Sequence, residues 1–125
     1  MSDEAKDHVV DNLVGCTLSI TAFNMVTDLN RKLAFLQQMN KEYNALAHKL
    51  EDGSISTSDL DTAGSVAKEK IPSEMQRRDD FGLDAEAAER LRKMSPSKVD
   101  QIINFLKEKR ILEILTTFSF KEPKE

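Results

Sequence analysis

Tryptophan is absent from this sequence, and tyrosine and cysteine occur once each, at Tyr43 and Cys16. A single cysteine rules out an internal disulfide and fits a reducing, cytoplasmic setting. One Cys with two His, His8 and His48, falls short of the roughly four ligands a structural zinc site takes. No metal or other cofactor is expected. Four Gly and three Pro leave too few turns for an all-β chain, which needs one roughly every ten residues. The glycines are also too scattered for a phosphate-binding loop. No run of about 18 apolar residues occurs, and the N-terminus lacks the apolar stretch of a signal peptide, so neither a membrane span nor export is expected. Asp79, Asp80 and Asp84 cluster without the ligand spacing of an EF-hand. With no catalytic constellation in view, an enzyme is the least favoured class.

Charge is plentiful instead. Charged residues make up 32% of the chain and apolar ones 39%, with a net charge of −4. That balance gives no general pull toward nucleic acid or acidic membranes. It does suit a helical domain that leaves some apolar surface for a partner. The first 62 residues carry twice as many acidic as basic side chains, whereas basic clusters gather later, at Arg90–Lys93 and Lys107–Arg110.

Residues 3–51 contain no proline and one glycine, Gly15. The spacing predicts one long helix over 4–51, or two nearly collinear ones with Gly15 as the weak point. Val26, Leu33, Asn40 and Ala47 fall at heptad a positions, and Leu29, Leu36, Tyr43 and Leu50 at d, which is a coiled-coil-like seam. An upstream series (Val9, Leu13, Cys16, Ile20, Phe23) is out of phase with it by one residue, as in a stammer. A lone Asn at an a position selects register and a two-stranded state. Val26, Leu29, Leu33, Leu36, Asn40 and Tyr43 are therefore the expected self-association residues of a homodimer. The alternative is a helix packed inside its own domain with Asn40 at an edge.

Residues 52–80 are polar and turn-rich and read as a linker, with Ser58 or Thr57 capping a short helix and Pro72 breaking any longer one. Over 81–125 the pattern predicts a helical hairpin. Asp84 caps a helix over 84–94, Ser95 and Pro96 start a second over 96–109, and an apolar tail follows. Val99, Ile102 and Leu106, with Ile111, Leu115, Phe118 and Phe120 of the tail, are the expected partner-binding residues. Lys98, Lys107, Lys109 and Arg110 are the candidate nucleic-acid contacts. Asp100 near the start of the second helix would repel phosphate, so a hairpin that packs is favoured over one that reads bases. The fold class expected is all-α: segment 1–51 helical, 52–80 a linker, 81–125 a hairpin with its tail.

Two stretches carry a likeness to a known family. Asp28-Leu29-Asn30 with Leu33-Ala34-Phe35-Leu36-Gln37-Gln38 resembles the first-helix signature of the FlhD subunit of the bacterial flagellar master regulator. Phe81-Gly82-Leu83-Asp84, then Leu91, Ser95-Pro96, Val99 and Phe118-Ser119-Phe120, resembles that family's second stretch. The spacer between them is longer here, and residues 1–27 have no counterpart. The resemblance implies a helical dimer that joins a second, zinc-carrying protein subunit to activate transcription, with DNA contacted indirectly. A helical dimeric regulator acting through protein–protein contacts is thus the leading expectation. A secretion chaperone or export adaptor, or direct DNA binding through 96–110, are the rivals.

Overall fold

Four side chains in this sequence sit three residues ahead of a backbone N–H that they cap. Ser2 accepts from the Ala5 N–H at 3.1 Å, Asp28 from Arg31 at 2.9 Å, Ser56 from Asp59 at 3.1 Å and Asp84 from Ala87 at 2.8 Å. Each satisfies one of the donors a helix start leaves unpaired. A computed structural model, describing residues 1–108, places four helices at those caps: α1 (Asp3–Phe23), α2 (Leu29–Glu51), α3 (Thr57–Arg77) and α4 (Ala85–Glu108). A short 3-10 turn at Asp79–Gly82 links the last two. No strand occurs among the described residues, and the fold is all-α.

The long N-terminal element is a hairpin rather than one rod. The chain breaks at 24–28, where the two hydrophobic series fall out of phase, and not at Gly15. Turned back on itself, α2 runs antiparallel to α1. Asn12 donates to Glu42 at 2.6 Å, and Lys49 reaches Asn12 at 3.1 Å. At the other end the Lys32 ammonium donates to the Phe23 carbonyl at 2.7 Å and lies over the Phe23 ring. A cation there complements the negative end of α1. Gly15 lies mid-helix and permits close approach: a Cβ on it would stand 2.8 Å from the Glu42 Oε2.

Residues 57–77, expected within a linker, form α3. Its start is a full capping box, since Ser56 caps Asp59 while the Asp59 carboxylate accepts from the Ser56 N–H at 2.9 Å. That hydrogen bond to the backbone of Ser56 holds the Asp59 carboxyl below its usual range. Pro72 does not end the helix. Its ring faces solvent, and Ile71 and Met75 on either side are wholly buried, so packing offsets the roughly 3 kcal/mol a mid-helix proline costs.

The expected hairpin over 84–109 is likewise one continuous helix, α4, passing through Pro96. Ser95 is not a cap. Its hydroxyl is buried and donates to the Leu91 carbonyl at 2.6 Å, one turn back. The stripe Ala88, Leu91, Ser95, Val99, Ile102 and Leu106 continues across the proline without changing face. Antiparallel to it lies α3, joined by Lys68–Asp100 at 2.8 Å and Lys107–Asp61 at 3.0 Å. Gly64 abuts Ile103.

At the centre is α1, which packs against all three other helices. Every residue from Leu13 to Ala22 is buried, including Thr17, Ser19 and Thr21. A helix apolar nearly all round must be enclosed. Among the described residues no helix is long and apolar enough to cross a membrane.

Candidate protein-docking site

The expected self-association seam divides along its length. Tyr43 is 4% exposed and Val26 6%, so both serve the chain's own core. Leu29 and Leu33 are 78% and 52% exposed. Leu36 and Asn40 are half-buried on the flank between. The division follows from the hairpin. Met39, Tyr43 and Leu46 turn toward α1, and the N-terminal half of the seam is left on the outside of α2.

That outer strip is unusual in composition. Leu29, Leu33, Gln37, Asn40 and Asn44 recur at helical spacing and share one side of α2. None carries a charge. The charged residues between 29 and 47 are Arg31, Lys32, Lys41 and Glu42, and three of them are directed elsewhere. Arg31 donates to the Phe81 carbonyl at 2.8 Å, Lys32 to Phe23, and Glu42 accepts from Asn12 and from Gln38 at 2.5 Å.

Beside the N-terminal end of this strip lies a groove of about 410 Å³ between the α1–α2 link and the start of α4. Met25, Val26, Leu83 and Ala87 supply its apolar lining, and Asp28, Arg31 and Asp84 its polar one. Two stretches fifty residues apart in the chain meet here. The Phe35 and Phe81 rings stack edge-on at 5.5 Å, and Arg31 clamps the Phe81 carbonyl. These contacts hold a backbone that is otherwise costly. Asp79, Asp80 and Phe81 all have positive φ, at 53°, 50° and 57°, and Gly82 follows at 71°. Left-handed geometry costs a non-glycine residue about 1–2 kcal/mol, least for Asp.

The remaining expected site residues are not on this surface. Val99, Ile102 and Leu106 are at most 3% exposed, inside the chain's own core, because the α4 stripe that looked free is the one α1 and α3 cover. They are not a surface for a partner. Lys107 is bridged to Asp61, which turns it toward α3, and Lys98 is engaged within the chain. Lys109, Arg110, Ile111, Leu115, Phe118 and Phe120 lie outside the described residues. Sequence reasoning missed the groove residues Met25, Leu83 and Ala87. The one available signal was Asp79-Asp80-Phe81-Gly82, rich in the residue types that tolerate left-handed backbone.

Neither lone reactive side chain is poised for chemistry. Burial, reinforced by the Glu42 charge, pushes the Cys16 thiol well above its ordinary range. Burial, with a smaller contribution from Cys16, raises the Tyr43 phenol to about 12. No group of three or more His, Cys, Asp or Glu side chains among the described residues could hold a metal ion. Compared with known proteins, the chain matches no family model, no curated protein and no solved structure.

Proposed function

We propose that this chain is a helical, self-associating regulatory subunit that acts by docking a second protein, in the manner of a transcriptional co-regulator. The observation that carries the reading is the groove at the meeting of 25–31 and 82–87, with Leu29 exposed beside it. An exposed leucine next to an apolar groove is an anchor-and-pocket arrangement of the kind protein interfaces use. The same two stretches carry the likeness to FlhD, and they come together through Phe35 and Phe81.

The test compares wild-type chain with a Leu83→Glu variant as bait in the native cell, with mass spectrometry of what co-purifies. A DNA-binding transcription subunit or RNA polymerase, retained by wild type and lost by the variant, supports the reading. A secreted substrate held by the groove replaces it with an export adaptor. Salt-sensitive gel shift by the purified chain alone replaces it with direct DNA binding.

A further inference from the structure

From the charge pattern of α2 we infer that its outer strip is the seat of a second copy of this chain, packed parallel so that each residue meets its own counterpart. The inference rests on the self-associating reading above and narrows it to one surface and one orientation.

A two-fold axis brings like against like. A strip with charge of one sign would meet its own charge across that axis, and this strip has none. In a chain that is 32% charged, Leu29, Leu33, Gln37, Asn40 and Asn44 run along α2 without a charged member. Nucleic acid or a strongly charged peptide would find nothing here to pair with. A copy of the same strip would. Each side-chain amide carries both a donor and an acceptor, so Asn40 can satisfy Asn40 of the second copy, while Leu33 covers Leu33. The parallel arrangement follows from the sequence of residue types. An antiparallel pairing centred between Leu33 and Leu36 would set Leu29 against Asn40 and bury an amide against hydrocarbon without a partner. The half-buried state of Asn40 suits a polar residue that finishes its burial on association. Because Tyr43 is withdrawn into the chain's own core, the contact spans about two heptads, which makes a reversible dimer rather than a long zipper.

Cys16 is wholly buried, so an introduced surface cysteine is the one accessible thiol among the described residues. Leu33→Cys and Asn40→Cys, each alone under mild oxidation, are both expected to give a disulfide-linked dimer, while Glu69→Cys on α3 does not. Sedimentation of the unmodified chain should show a concentration-dependent dimer, and Leu33→Asp should weaken it at least about a hundredfold, with circular dichroism confirming an intact helical fold. Crosslinking at 33 without crosslinking at 40 overturns the parallel orientation. A wild-type chain that stays monomeric at all concentrations, or a dimer unaffected by Leu33→Asp, overturns the surface. Neither result bears on capture of a second protein by the groove, so the two readings fail separately.

Discussion

Gly15→Ala in α1 ought to destabilise this protein, although the same change in an ordinary helix stabilises it. By helix propensity alone alanine would gain about 1 kcal/mol over glycine. Against that, the new Cβ would lie 2.8 Å from Glu42 Oε2, 3.0 Å from its Cδ and 3.2 Å from its Cγ. The carboxylate is not free to swing aside at no cost, because Asn12 and Gln38 each donate to one of its oxygens, at 2.6 and 2.5 Å. Hydrogen bonds to a charged group contribute about 1.5–3 kcal/mol each, so displacing Glu42 from one or both costs about 2–4 kcal/mol. The net expectation is a loss of about 1–3 kcal/mol, seen as a thermal midpoint lowered by roughly 5–12 °C. The assay is a double-mutant cycle by urea denaturation with Glu42→Ala as the second change. In that background the obstacle is gone, and Gly15→Ala should stabilise by up to about 1 kcal/mol. If Gly15→Ala stabilises the wild-type chain, or shifts both backgrounds equally, the glycine is not there to admit Glu42.

Other consequences can be checked with the chain's sparse chromophores and thiols. Tyr43 is the only tyrosine and there is no tryptophan, so absorbance near the tyrosinate band reports one group. Its pKa is raised from 10.0 to about 12 by burial, so the folded state favours the neutral phenol. The resulting stability is complete below the unfolded value and lost as pH rises through the folded one, and ionisation should coincide with alkaline unfolding between pH 10 and about 12; titration near 10 in a still-folded chain would refute it. The Tyr43 hydroxyl has no hydrogen-bond partner among the described residues. Tyr43→Phe should therefore be neutral or stabilising by about 1 kcal/mol in denaturant titration. Asp80→Gly relieves a φ of 50° and should gain up to about 1 kcal/mol, whereas Phe81→Gly should lose stability because the Phe35 contact goes with the ring.

The helix content was readable because its local signals are strong. Asp84 was legible as a cap, the phase slip between Phe23 and Val26 did mark a break, and apolar spacing found the buried face of α4. What misled were residues whose usual meaning packing overrides. Pro72 and Pro96 stop helices in isolation, but here buried neighbours carry the helix through them. Ser95 looks like a cap and instead bonds back to Leu91. The polar run after Asp52 hid a capping box whose cap, Ser56, sits one residue before the nearest one expected. For the candidate site, the leucines at 29 and 33 were found and their exposure bears on the proposal. Val99, Ile102 and Leu106 were misplaced because periodicity shows that a face is apolar and does not show what covers it. The groove depends on Phe35 meeting Phe81, a contact across 46 residues of chain that no local pattern encodes.

The position of α1 has a consequence for how the protein is made. The first helix to leave the ribosome is the one that ends up enclosed by α2, α3 and α4, all of which follow it in the chain. At elongation rates of about 5–20 residues per second, its apolar sleeve waits on the order of ten seconds before α4 has emerged. During that interval nothing of its own chain completes the enclosure. The nascent protein is thus a natural client for a ribosome-associated holding factor, and slowing translation downstream of α1 should lower its yield more than slowing it after α4.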